Sequence, residues 1–177
     1  MPHYHRALYL GRFQPIHNGH LWAISYALKS CDELVIAVGS AQKSHELHDP
    51  FTTGERLQMI RLALKEAKID SSIVSVIPIP DTWESHSLWV SRVVSYCGNF
   101  DAVFSNQPLV TRLFKEAGYK IENIPLYKRN TLSGTDLRKR MLNGDDWETY
   151  VPKAVAKFIR EHMLLQRVRE LAGSDQT

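Results

Sequence analysis

Two histidines, an arginine and two glycines fall within Gly11-Arg12-Phe13-Gln14-Pro15-Ile16-His17-Asn18-Gly19-His20, and side chains of these types at this spacing are suited to handling negatively charged oxygen. Gly11 and Gly19 let a ligand approach the backbone, and Pro15 stiffens the turn between them. His17 and His20 lie three residues apart, so they face the same way from the first turn of a helix. Such a pair can ligate zinc, sit in a core or donate to a phosphate. A structural zinc takes about four ligands and no cysteine lies nearby, while a turn rich in Gly and Pro is a poor place for core histidines. Imidazoles at a helix N-terminus, beside Arg12, suit a site where charge grows on phosphate oxygens during a reaction.

A second stretch, Ser133-Gly134-Thr135-Asp136-Leu137-Arg138, has the same logic: hydroxyls and backbone N–H groups at a helix start, then a cation one turn on. Alone it is an ordinary helix cap. Two anion-facing turns in one small chain point to a single multiply charged ligand such as a nucleoside triphosphate. The chain carries no G-x-x-x-x-G-K-[ST] loop, no G-x-G-x-x-G after its first strand and no G-x-S-x-G elbow. The chemistry left is a direct phosphoryl or nucleotidyl transfer, driven by positioning and charge neutralisation. His45 and His48 fall in a polar loop, where a solvated role is equally open. Trp83 and Trp89 suit either burial or a platform for a flat ring.

These side chains need a scaffold that brings strand ends and helix starts together. Short apolar runs predict strands over 6–10, 33–39, 73–77, 101–105 and 119–124. Helical periodicity predicts helices over 21–28, 53–67 and 109–117, with a further one containing Trp89. Thr52 and Glu55 form a capping-box pattern, Leu57, Ile60, Ala63, Leu64 and Ala67 line the apolar face behind it, and Ser133 and Asn143-Gly144 bracket a basic helix. A long amphipathic helix is predicted over 152–171, packing on the sheet or a partner subunit, and the tail from Gly173 is predicted to fray. Alternation of this kind gives an α/β fold: a Rossmann-like, doubly wound, parallel five-stranded sheet with a C-terminal helical segment over about 133–172. The first motif then sits at the carboxyl end of a strand, where ligands bind in such sheets.

With 177 residues, 44% of them hydrophobic, the chain is expected to form one domain over 1–177. A formal charge of +3, from 22 basic against 19 acidic residues, is too mild to argue for nucleic acid. Cys31 and Cys97 lack the spacing of a disulfide framework or zinc knuckle, and no run approaches the ~20 apolar residues of a membrane span. A reduced, cytoplasmic setting follows, with no membrane partner.

The histidine turn and Ser133 to Arg138 together resemble the signature pair of the nucleotidyltransferase superfamily. Gly39-Ser40-Ala41-Gln42-Lys43-Ser44-His45 and Asp49-Pro50-Phe51-Thr52-Thr53-Gly54-Glu55-Arg56 are similar to blocks of the archaeal-type nicotinamide-nucleotide adenylyltransferases. That resemblance implies adenylyl transfer from ATP to nicotinamide mononucleotide, giving NAD and pyrophosphate. It assigns catalysis to His17, His20, Arg12 and Arg138, and ATP binding to these four with Gly11, Phe13, Gln14, Ser133, Gly134 and Thr135. Phe13, Ser40, His86 and Trp89 would bind the mononucleotide, with Trp89 stacked on its ring. The resemblance further implies magnesium held mainly by the ATP phosphates, no metal ligands on the protein, and a homohexamer. His86 stands about where the family has an asparagine, in a loop one residue longer than usual. Other adenylyl or cytidylyl transfers, or a non-catalytic nucleotide sensor, are the alternatives.

Overall fold

The fold is that of a computed structural model, which describes residues 2–83, 85–125, 127 and 133–174. Glu84, Thr131, Leu132 and the tail from 175 lie outside the described residues. Five strands run parallel: β1 (Tyr4–Gly11), β2 (Cys31–Val38), β3 (Val74–Pro78), β4 (Ala102–Phe104) and β5 (Lys120–Glu122). Their order is β3-β2-β1-β4-β5, the doubly wound arrangement expected from the alternation. The chain steps outward from β1 to β3, then crosses back to lay β4 and β5 on the other side. β1 therefore lies where the winding reverses, and its carboxyl end is the place where such sheets leave a crevice. Leu34 through Val38 are fully buried, as a strand covered on both faces requires.

The chain forms two compact units. The first comprises Met1–Arg12, Ala23–Gln42 and Asp70–Pro125. Its core joins Leu8, Val35 and Val103 of the sheet to Val93 and Cys97 of α3 (Trp89–Cys97) and Phe114 of α4 (Pro108–Glu116). Phe100 stacks on Tyr119 with ring centroids 4.8 Å apart.

The second unit comprises Phe13–Trp22, Lys43–Ile69 and Leu126–Thr177. Asn18 opens α1 (Asn18–Ala27). The expected capping box starts α2 (Thr53–Glu66): Glu55 N–H donates to Thr52 Oγ1, and Thr52 N–H to Glu55 Oε2. Arg56 and Met59 share the buried face of α2 with Ile60, Ala63 and Leu64. The periodicity had placed Ala67 there instead; Ala67 is the exposed C-cap. Ser133 caps α5 (Gly134–Asn143), taking the Asp136 N–H at 3.0 Å, and Gly144 ends it in the left-handed region at φ 77°.

The single helix expected over 152–171 is two helices, α6 (Lys153–Glu161) and α7 (Leu164–Ser174). Met163 breaks it by adopting φ 53°, a left-handed conformation that no α-helix continues through. Pro152 gives α6 no side-chain cap, so Glu66 does the work from the end of α2. Its carboxylate accepts from Lys153 N–H at 3.0 Å and Ala154 N–H at 2.7 Å. At the other end of α2, Arg167 of α7 donates both arms of its guanidinium to Glu55, at 2.7 and 2.9 Å, and one also to the Pro50 carbonyl at 3.4 Å. No described helix is long and apolar enough to cross a membrane.

Candidate active site

The two histidines are locked to each other by their own backbone. His17 N–H donates to His20 Nδ1 at 3.2 Å, and His20 N–H is shared between the His17 carbonyl at 2.9 Å and His17 Nδ1 at 3.3 Å. A ring nitrogen that accepts carries no proton, so each neutral imidazole must hold its hydrogen on Nε2. The pair thus presents two Nε2–H donors of defined tautomer. The rings stack with centroids 3.7 Å apart, and Phe13 covers His20 at 4.6 Å. Phe13 is 1% exposed and sits at φ 52°, a conformation that costs a non-glycine residue about 1–3 kcal/mol and persists where the surroundings dictate it.

His17 is only 5% exposed. The sequence reading had set aside a buried histidine on so glycine-rich a turn, but stacking and the reciprocal bonds satisfy the ring where it lies. Burial brings its pKa down to about 4, and burial together with the neighbouring His17 holds His20 well below the ordinary imidazole range. Both donors are therefore neutral at pH 7. Because the unfolded chain binds protons that the folded chain refuses, stability falls as pH drops from about 6.5 toward about 4. For His17 alone the loss between pH 7 and pH 5 is about 2 kcal/mol. Urea unfolding at the two pH values should record it, and His17→Gln should flatten the slope.

The turn after Phe13 is held from two directions. The Gln14 side chain, 2% exposed, pairs with the Phe51 peptide on both sides: Nε2 donates to Phe51 O at 3.0 Å, and Phe51 N–H donates to Oε1 at 2.9 Å. Its backbone carbonyl accepts from Arg138 Nη1 at 2.9 Å, while Arg138 Nη2 reaches Thr135 Oγ1 at 3.3 Å. The two sequence motifs, 124 positions apart, are thereby brought together by one guanidinium. Arg138 is 4% exposed. Gly134 explains itself here: a Cβ would stand 3.2 Å from Arg138 Nη1 and 3.6 Å from Gln14 O.

Phe13, Gln14, His17, His20, Ser133, Gly134, Thr135 and Arg138 all belong to the second unit. Gly11 and Arg12 end β1 in the first unit, where Gly11 O accepts from Gly39 N–H at 2.9 Å and Arg12 is exposed. Ser40, His86 and Trp89 also belong to the first unit. Ser40 follows β2 at φ 50° and donates its hydroxyl to Asp81 Oδ1 at 3.1 Å. His86 is exposed in the short turn His86–Leu88, and Trp89 opens α3, half-buried against the sheet core. Sequence reasoning missed Asp81 and the Gln14–Phe51 pairing. The Asp81 signal was present: an acid just past a strand, at the sheet edge where ligands bind. The Gln14 pairing spans 37 positions and has no local signature.

A parallel, doubly wound sheet with an imidazole pair after its first strand defines a nucleotidyltransferase, and the family described as cytidylyltransferase-like matches residues 8–140. A curated nicotinamide-nucleotide adenylyltransferase of Archaeoglobus fulgidus is 47% identical over 173 residues, 96% of this chain and 99% of that one. Its counterpart from Saccharolobus solfataricus is 46% identical, over 97% of this chain and 99% of its own. The chain belongs to the nicotinamide-nucleotide adenylyltransferase family. Among solved structures it is similar to a bifunctional NMN adenylyltransferase/ADP ribose pyrophosphatase from Francisella tularensis, complexed with AMP and a Mn ion. The TM-score is 0.77 at 25% identity, covering 94% of this chain and 52% of that one, so the chain spans about half the length of the bifunctional protein.

Proposed function

We propose that the protein transfers the adenylyl group of ATP to nicotinamide mononucleotide, releasing NAD and pyrophosphate. The observation that carries this reading is the bond from Arg138 to the Gln14 carbonyl, which joins both anion-facing turns in one site. The 177 residues then act as one nucleotidyltransferase domain in the cytoplasm, in the reading we favour as a homohexamer.

The mononucleotide phosphate attacks the α-phosphorus of ATP in line, and pyrophosphate leaves from the opposite side. No covalent intermediate forms. Holding two reactants in line can supply roughly 7–11 kcal/mol of the barrier. His17 and His20 donate their Nε2–H groups to phosphate oxygens and take up charge as the pentavalent transition state forms. Arg138 and the exposed Arg12 clamp further oxygens. Gly11, Phe13 and Gln14 line the nucleotide through the turn's backbone, and Ser133, Gly134 and Thr135 lie by the adenosine. Ser40, His86 and Phe13 bind the mononucleotide in this reading, and Trp89 stacks on its ring.

No three His, Cys, Asp or Glu side chains gather around one point among the described residues. They do not fit a resident metal, and no step here runs through one. The divalent cation, magnesium in this reading, enters as part of the substrate on the ATP phosphates.

Incubating the purified protein with ATP and nicotinamide mononucleotide should release NAD and pyrophosphate in equal amounts. Pyrophosphate with another phosphate acceptor alone, such as pantetheine phosphate or flavin mononucleotide, would move the protein to a different branch of the class. Tight nucleotide binding without pyrophosphate from any acceptor would make it a sensor.

A further inference from the structure

β2 and β3 leave the sheet side by side, Val38 opposite Pro78, and their following loops are stitched together. Ile79 N–H donates to Val38 O at 2.9 Å and Ala41 N–H to Ile79 O at 3.1 Å. The stitching ends on one acid. Asp81 Oδ1 accepts from the Ser40 hydroxyl at 3.1 Å, Oδ2 accepts from Gln42 Nε2 at 3.0 Å, and Asp81 N–H donates to Gln42 Oε1 at 2.9 Å. Two bonds hold the carboxylate and a third pins its backbone, which fixes the acid in place and direction.

Every one of those partners is neutral. Among the described residues Asp81 enters no ion pair, so its charge is oriented by Ser40 and Gln42 without being cancelled. A held, uncompensated carboxylate at the ligand-binding edge of a parallel sheet acts on whatever binds there, and a charge has most effect on a ligand whose own charge varies. The acceptor has that property. Its pyridinium ring is cationic; its ring substituent is either a carboxamide, which is neutral and donates N–H, or in the deamidated form a carboxylate.

We propose that Asp81 is the specificity-determining residue of the acceptor site, drawing in the pyridinium ring with its carboxamide and turning away the acid. This rests on the reading that places the mononucleotide at Ser40, the residue bonded to Asp81. Asp81 touches no reacting atom in this account. It selects by charge, and Ser40 and Gln42 are the residues that position it.

The test compares kcat/KM for nicotinamide and nicotinate mononucleotides in the wild-type protein, in Asp81→Asn and in Gln42→Lys. Asp81→Asn removes the charge with almost no change of shape. Gln42→Lys leaves the acid and sets an ammonium against it from an exposed position. Both should narrow the preference for the amide about tenfold, the scale of one charge pair near a surface, chiefly by lowering KM for the acid. Raising ionic strength should narrow the wild-type preference in the same direction. An amide-to-acid ratio within twofold of wild type in Gln42→Lys overturns the proposal, as does an equal loss with both acceptors in a folded Asp81→Asn. Should Asp81→Asn fail to fold, Gln42→Lys decides alone. A wild-type protein that makes no dinucleotide from either acceptor refutes the activity itself, an outcome distinct from an unchanged ratio.

Discussion

Replacing His20 by alanine is expected to lower kcat by a hundredfold or more, the scale on which enzymes lose turnover when one donor to a developing oxyanion is removed. The loss should be larger than the deletion of one hydrogen bond implies. His20 Nδ1 accepts the His17 backbone N–H, and the His20 ring stacks on both His17 and Phe13. Alanine removes the Nε2–H donor, strips the His17 backbone N–H of its acceptor and takes away the ring stacked on His17. His20→Asn or His20→Gln supplies an amide donor without the stacking, so those variants should recover only part of the rate. Steady-state NAD synthesis with saturating ATP reads the effect directly. Turnover unchanged in His20→Ala would remove the histidine pair from the chemistry.

Arg138→Ala should cost on the order of a thousandfold in kcat/KM for ATP, within the range seen when an arginine that neutralises transferring phosphates is lost. Two losses combine in it. The cation goes, and so does the donor to the Gln14 carbonyl, a buried acceptor whose orphaning costs about 1–3 kcal/mol on its own. Arg138→Lys separates them. Lysine keeps the charge but cannot bridge Gln14 O and Thr135 Oγ1 together, so its rate should fall between those of arginine and alanine. Thermal unfolding of all three, beside the kinetics, apportions the two losses. If lysine and alanine are equally slow, geometry matters more than charge at this position.

The elements that carry these residues were legible because their signals are local. Five short apolar runs mark the strands, Thr52 with Glu55 and Ser133 with Asp136 mark helix starts, and Gly144 marks an end. What escaped had no local signal. Met163 breaks the C-terminal helix at a residue that ordinarily favours helices, so neither glycine nor proline announced it. Arg56 stands at the spacing of the apolar face, four residues before Ile60 and seven before Ala63, but its charged side chain argues for solvent; it is fully buried. The histidine turn was found from residue types alone, but the neutral, Nε2-protonated state of its rings follows only from backbone atoms pointing at Nδ1. Asp81 became visible as a fixed charge only once the loops after β2 and β3 were seen to be joined.

The last helix has a bearing on catalysis that its distance in sequence conceals. Arg167 grips Glu55 and the Pro50 carbonyl; Glu55 holds Thr52; the adjoining Phe51 peptide is clasped by Gln14; and Gln14 offers its carbonyl to Arg138. Each bond in this series removes freedom from the phosphate-facing turn before any ligand arrives. Freedom already surrendered on folding is not lost again on binding, so the triphosphate meets a turn that needs little ordering. In the proposed site, affinity for ATP is thus set in part by α7, which contributes no phosphate contact there: its share is entropic, supplied once when the chain folds and drawn on at each turnover.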